Sequence, residues 1–238
     1  DKINAIGTVT ENSGDIIAEV RAAYDALTDS QKQYVTNLAI LSKAEETYAM
    51  LTTPVPFTEI ENHWSKDAVK YAYQHKLFNG ISETLFAPDL AMTRGMLVTV
   101  LYRMEGTPET IDACVFQDVP GDAYYYSAVV WANKNGIVNG ISETEFAPDQ
   151  NISREQIATM MMRYTKFKGF AVSKRSNLNK YADSSEISAW AKDALSWANA
   201  VKLINGRDNA MLAPKGNATR AEVATILMRL NHNILGID

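Results

Sequence analysis

Residues 79–89 read NGISETLFAPD and residues 139–149 read NGISETEFAPD, so ten of eleven residues recur sixty positions later, with only Leu85 exchanged for Glu145. Self-similarity at a fixed period marks a repeated supersecondary unit. Extending outward from these stretches brings up a third, more diverged copy, LINGRDNAMLAPKGNATRAE, at residues 203–222. Asn79, Asn139 and Asn205 then align. Fifteen positions upstream of each stand Trp64, Tyr124 and Trp190, and eight upstream stand Tyr71, Trp131 and Trp197, each followed by Ala. Downstream come Phe86, Phe146 and Leu212, then Ala-Pro in all three copies, then Thr93-Arg94, Ser153-Arg154 and Thr219-Arg220. A second arginine follows nine residues later, at Arg103, Arg163 and Arg229. Each copy opens on an aromatic with an acid two residues on: Phe57 and Glu59, Phe116 and Asp118, Tyr181 and Asp183. Copy spacing is sixty and then sixty-six, the extra residues falling in KGFAVSKRSNLNK, residues 168–180.

Within a copy the pattern predicts helix, loop, helix. In the second, Ala128, Trp131, Ala132 and Asn135 lie at helical spacing, and Gly136 with Asn139-Gly140 provides a stop and positions of positive φ. Proline biases the residue before it toward extended backbone, so Ala-Pro is read as an extended break. Ser153 with Gln156, and Thr219 with Glu222, form capping boxes that start the second helix, whereas the first copy has Thr93 followed by Gly95 and Met96. The N-terminal part reads differently. Residues 15–27 place Ile16, Val20, Ala23 and Leu27 on one stripe. Residues 28–51 open on a Thr28–Gln31 box and carry Val35, Leu38, Leu41, Tyr48 and Leu51. This is read as an antiparallel helical hairpin over 1–52, with a stiff linker TTPVP ending at residue 56. The repeats then occupy 57–106, 116–167 and 181–231.

Composition bounds the function. The chain has 238 residues, 46% of them hydrophobic, so it buries a core of its own. Twenty-three Lys and Arg against 28 Asp and Glu give a net charge of −5, which argues against a nucleic-acid partner. One cysteine, Cys114, and three scattered histidines offer no disulfide and no metal cluster, and no apolar run is long enough for membrane insertion. The chain opens on Asp1 and reads as a mature product or a fragment. No nucleophile–base pair or phosphate loop stands out, so no catalytic residue and no cofactor is expected.

The aromatic-x-acid starts, the N-G turns, the F-x-P loops and the Thr-Arg-Ala-Glu helix start resemble the S-layer homology domains of bacterial surface proteins, over residues 57 to about 231. The resemblance implies an all-α fold in which three helix-loop-helix repeats adopt a pseudo-threefold arrangement around a central helical bundle. It further implies an extracellular location on the cell wall, and grooves that hold a secondary cell-wall polysaccharide often capped by a pyruvate ketal, which is a carboxylate. Other surface-layer proteins are a second partner class, and a protein-interaction scaffold without glycan binding is the alternative function.

The residues carry an argument of their own. Arg94, Arg154 and Arg220 sit at the first helical position, where a cation faces the positive end of the helix dipole, so an anion is needed to compensate. That anion is either internal, Asp89 or Asp149, or a bound carboxylate received by free helix N–H groups and the guanidinium fork. In the third copy Lys215 replaces the acid, which favours a ligand there; the intact Thr-Arg-Ala-Glu and Ser-Arg-Glu-Gln starts of the third and second copies, against Gly95 and Met96 in the first, rank Arg220 or Arg154 above Arg94. Tyr71, Trp131 and Trp197 are assigned to the core, while Trp64, Tyr124 and Trp190 are held as sugar platforms. Gly80, Gly140 and Gly206 are read as ending the first helices, and the resemblance implies that their turns also line the grooves with exposed backbone. Thr93, Ser153, Thr219, Gln156 and Glu222 support the caps, and Arg103, Arg163 and Arg229 are read as dipole-matched structural residues.

Overall fold

The computed structural model describes residues 1–207 and 210–236. They form two compact units, Asp1–Pro56 and Phe57–Asp238. No strand occurs among the described residues, only isolated bridges.

The first unit is helical, with short elements added to its two principal, mutually packed helices. Its elements are a 3-10 turn at Ile3–Ile6, helix α1 at Gly14–Asp25, a single turn α2 at Asp29–Lys32 and helix α3 at Leu38–Leu51. Gln31 accepts the Thr28 N–H at 2.9 Å as the box requires, but the helix it starts lasts one turn. The core is built from Ile3, Ile6, Ile17, Val20, Leu41 and Ala44 with Tyr24, Val35, Leu38 and Tyr48 against it. The stripe on α1 keeps Val20 but begins on Ile17 instead of Ile16: Ile17 is buried, and Ile16 is 37% exposed. The N-terminal isoleucines supply the third side of a core that two short helices could not close.

The second unit contains the repeats. Their first helices are α4 (Lys66–Gln74), α6 (Tyr126–Lys134) and α8 (Lys192–Ala200); their second helices are α5 (Arg94–Met104), α7 (Arg154–Phe167) and α9 (Arg220–Leu230). Each first helix packs mainly on the second helix of a neighbouring copy: α6 on α5, α8 on α7, and α4 on α9. The copies are thus interlocked in a ring. The second helices are buried nearly all round, α9 from Arg220 through Leu227 with Glu222 as the break, which is the mark of central helices. A closed cycle of backbone bonds joins their entries: Met92 N–H to Ala218 O (2.9 Å), Ala218 N–H to Ile152 O (3.0 Å), and Ile152 N–H to Met92 O (2.9 Å). Met92, Ile152 and Ala218 are all fully buried at this axis.

The first helices end in the way C-terminal left-handed caps do. Gly136 takes φ +66°, but its equivalents are Lys76 (+56°) and Lys202 (+61°), which accept a conformation glycine adopts more cheaply. Two loop expectations are corrected. The residue before proline is not extended: Ala87, Ala147 and Ala213 are left-handed, at φ +56°, +57° and +52°. Gly140 does not have positive φ; it is glycine because a Cβ would collide with the carbonyls of Ser142 and Glu145 and with the Phe116 ring at 2.6 Å. Gly80 and Gly206 are pressed in the same way, by Phe57 at 2.7 Å and Tyr181 at 2.6 Å.

The acid near the start of each copy holds the strained alanine. Asp118 accepts the N–H of Phe146 (2.8 Å) and of Ala147 (2.6 Å); Asp183 accepts those of Leu212 (2.8 Å) and Ala213 (2.6 Å). Glu59 does the same for Phe86 (2.5 Å) and Ala87 (3.1 Å). Two charge-assisted bonds per loop offset a left-handed alanine that costs about 1–2 kcal/mol. The loop so shaped drops Phe86, Phe146 or Leu212 into the core, each fully buried.

Candidate functional site

Three arginines connect the copies. Arg94 donates from Nε to Phe146 O (2.8 Å) and from Nη2 to Asn139 O (3.1 Å), both in the second copy. Arg154 reaches Leu212 O (3.0 Å) and Asn205 O (2.5 Å) in the third. Arg220 closes the ring on the first, at Phe86 O (2.9 Å) and Asn79 O (2.7 Å). Their relative exposures are 3%, 5% and 6%, so these are clamps set into the interfaces. Phe146 lies under Arg94 at 4.6 Å, and Phe86 and Phe78 lie under Arg220 at 4.5 and 5.2 Å. Burial pushes both Arg94 and Arg220 down to about 10.

The helix N-termini are not free, which corrects one premise of the sequence reading. The N–H groups of Arg94 and Gly95 donate to Gln150 O and Pro148 O. Those of Arg154 and Glu155 donate to Gly216 O and Pro214 O, and those of Arg220 and Ala221 to Leu90 O and Pro88 O, all between 2.8 and 3.0 Å. The third N–H is taken by the capping hydroxyl of Thr93, Ser153 or Thr219. The internal acids are also not those expected. Asp89 lies 3.3 Å from the His63 ring, and Lys215 reaches across to buried Glu155 at 2.6 Å. Among the described residues, Arg94 and Arg220 form no ion pair. Arg154 does: its Nη1 lies 3.1 Å from Oε1 of Glu222.

Each clamp opens onto a groove to which all three copies contribute. The first groove, about 440 Å³, has Arg94 at its floor, the Asn139–Ile141 turn and Gln156 and Arg163 of α7 as walls, and Trp190 of the third copy at its rim. The second, about 290 Å³, combines Arg154, the Asn205–Arg207 turn, Glu222, Arg229 and Trp64. The third, about 280 Å³, combines Arg220, the Asn79–Ile81 turn, Met96, Arg103 and Tyr124. Trp64, Tyr124 and Trp190 are 64%, 64% and 57% exposed, in contrast to the buried Tyr71, Trp131 and Trp197. Every residue singled out as a contact thus lines a groove. Arg103, Arg163 and Arg229 line them too, which the dipole argument missed. The available signal was their fixed nine-residue offset from the clamp, two and a half helical turns on, which capping does not require.

The arrangement can hold an acidic, ring-shaped ligand: guanidinium edges for a carboxylate, backbone for hydroxyls, and an exposed aromatic face for a sugar. The described residues contain no cluster able to hold a metal, and no described helix is long and apolar enough to cross a membrane.

The model of the S-layer homology domain matches three segments of the chain, 56–95, 115–158 and 180–224. Curated relatives are similar over the repeats. An amylopullulanase of Thermoanaerobacterium thermosulfurigenes is 28% identical over 77% of this chain and 10% of its own length. An endoglucanase of Bacillus sp. (strain KSM-635) is 32% identical over 77% of this chain and 19% of its own length. The surface-layer 125 kDa protein of Lysinibacillus sphaericus is 28% identical over 72% of this chain and 14% of its own. The chain spans between a tenth and a fifth of these relatives, so the shared segment is a module common to proteins with different names. With three matched repeats closed into one ring, the chain belongs to the S-layer homology family, the wall-anchoring repeats of bacterial cell-surface proteins.

Proposed function

We propose that this chain holds a larger surface protein non-covalently to the bacterial cell wall by binding a secondary cell-wall polysaccharide whose acidic cap, a pyruvate ketal, enters the grooves. The observation that carries the reading is the pair of buried guanidinium groups, Arg94 and Arg220, whose Nε and Nη2 hold backbone carbonyls while neither forms an ion pair among the described residues, Asp118 acting on Arg94 only through space. A charge removed from water at this cost needs an anion, and the groove above each is where one can come from. Trp190 and Tyr124 at the rims then offer ring faces to the sugar that bears the cap.

A protein-interaction scaffold would present apolar grooves instead of arginine-floored ones. The names of the relatives, hydrolases and a surface-layer protein, indicate that what the anchor carries differs from one parent to the next. Calorimetric titration with wall-polysaccharide fragments, capped and uncapped, tests the reading. Trp190→Ala and Arg163→Ala are the informative variants, because both sit at the groove and neither holds a neighbouring loop. Binding that requires the cap, with the Arg94 groove weakened about tenfold in each variant, supports the anchor; heat independent of the cap, or none in the folded chain, refutes it.

A further inference from the structure

The three grooves are chemically unequal. In each clamp arginine Nε and Nη2 are committed to carbonyls, so the remaining Nη1 edge decides what the groove can accept. For Arg94 and Arg220 no described residue bonds to Nη1. For Arg154, Nη1 is taken by Glu222 at 3.1 Å. Glu222 is itself saturated: it receives Arg207 Nε at 3.0 Å, Arg207 Nη2 at 2.7 Å on each oxygen, and the Thr219 N–H at 3.1 Å. Two substitutions in the repeat pattern produce this. The third copy has Glu222 where the second has neutral Gln156 and the first has Met96, and Arg207 where the other turns carry Ile81 and Ile141. Arg207 lines this groove and also donates to Asn217 O at 3.1 Å, which holds it beside Glu222.

Resting on the glycan reading above, we propose that Glu222 is a resident carboxylate that occupies the acid subsite of the Arg154 groove, so that the chain accepts acidic caps in two grooves and not three. An incoming carboxylate there would have to displace Glu222 from two guanidinium groups or sit beside it, and like charges at this distance repel. The Arg94 groove is the opposite case. It is the largest, its capping residue Gln156 is neutral with Oε1 bound to the Ser153 N–H at 3.0 Å, and Arg163 stands on the same wall. The Arg220 groove also accepts the acid, against an apolar Met96 wall. Glu222 is thus the residue that determines which grooves are acid-specific, and the Thr-Arg-Ala-Glu start of the third copy closes a subsite as well as capping a helix.

The test uses the full chain, a methyl hexoside carrying a pyruvate ketal as probe, and its carboxyl methyl ester as the neutral control. The readouts are calorimetric stoichiometry and the side-chain Nε–H resonances of the three arginines. The expected result is two sites, with Arg94 and Arg220 responding to the acid and Arg154 silent. Glu222→Gln keeps the capping box in the form the second copy uses, and is expected to add a third site and a response at Arg154. Gln156→Glu is expected to weaken the Arg94 site at least tenfold. A response at Arg154 in the unaltered chain, or continued silence in Glu222→Gln, overturns the proposal while leaving the glycan reading in place. Equal responses to acid and ester, or none at any arginine, overturn both.

Discussion

Arg220→Met removes the fork of the clamp between the third and first copies while keeping most of its stem volume, and its cost can be worked from the contacts. Two buried carbonyls, Phe86 O and Asn79 O, lose donors now at 2.9 and 2.7 Å, at about 1–3 kcal/mol each. The cation over Phe86 and Phe78 adds about 1–2 kcal/mol. Against this, the folded state no longer keeps a guanidinium out of water; a depression to about 10 from the ordinary value near 12.5 corresponds to roughly 3 kcal/mol of relief. The orphaned carbonyls win, and the expected net loss is about 2–3 kcal/mol. Urea unfolding followed by tryptophan fluorescence measures it cleanly, because Trp64, Trp131, Trp190 and Trp197 all lie in the repeat unit and none in the first unit. With a urea slope of about 2–3 kcal/mol/M, the midpoint falls by about 1 M. A loss below about 0.5 kcal/mol would show that Arg220 is held by the groove and not the groove by Arg220, and the clamp argument would fail.

Asp118→Asn keeps size but turns one acceptor of the Phe146 and Ala147 N–H groups into a donor facing a donor, so the same urea assay should register a loss of about 2 kcal/mol. Gly140→Ala forces its turn away from two carbonyls and the Phe116 ring, which moves Asn139 O off Arg94; calorimetry should find the Arg94 groove weakened at least tenfold, with a smaller effect for Gly206→Ala, whose nearest backbone oxygen stands at 3.2 Å. Tyr164 donates to the Glu105 carboxylate at 2.5 Å, and burial followed by that bond keeps its hydroxyl protonated well above the ordinary tyrosine range. Below the unfolded value near 10 both states hold the proton and the bond contributes in full. Above it only the unfolded state ionises, so stability falls as pH rises beyond about 10, and Tyr164→Phe should flatten that slope in urea titrations.

The fold was legible where a residue type had one physical use. Copies of an eleven-residue loop announced a repeat, capping boxes at Ser153 and Thr219 fixed two helix starts, and followed-by-Ala aromatics marked the core. It was less legible where a residue had two uses that local rules cannot rank. Capping does not explain Arg94, Arg154 and Arg220, yet nothing in a linear pattern says that their partners are carbonyls 52, 58 and 134 residues away. Ala87, Ala147 and Ala213 are left-handed against the preference of a residue before proline, because an acid 28 to 30 positions upstream supplies two strong bonds only in that geometry. In the first unit, a good capping box predicted a long helix, but the helix it starts lasts one turn and Ile3 and Ile6 join the core.

The interlocked order of the copies has a functional consequence that a row of independent repeats would not. Each groove takes its clamp from one copy, its turn and helical wall from the next, and its rim aromatic from the third, so the smallest unit that possesses any groove is the whole ring. A single repeat would lack the clamp and the rim aromatic of a site and would also expose the face its first helix lays on a neighbour. The ring therefore couples stability to binding: a ligand that bridges clamp and rim ties three copies together and, by mass action, opposes their opening. Under the anchoring role proposed above, that coupling places the resistance to unfolding in the same contacts as the resistance to release.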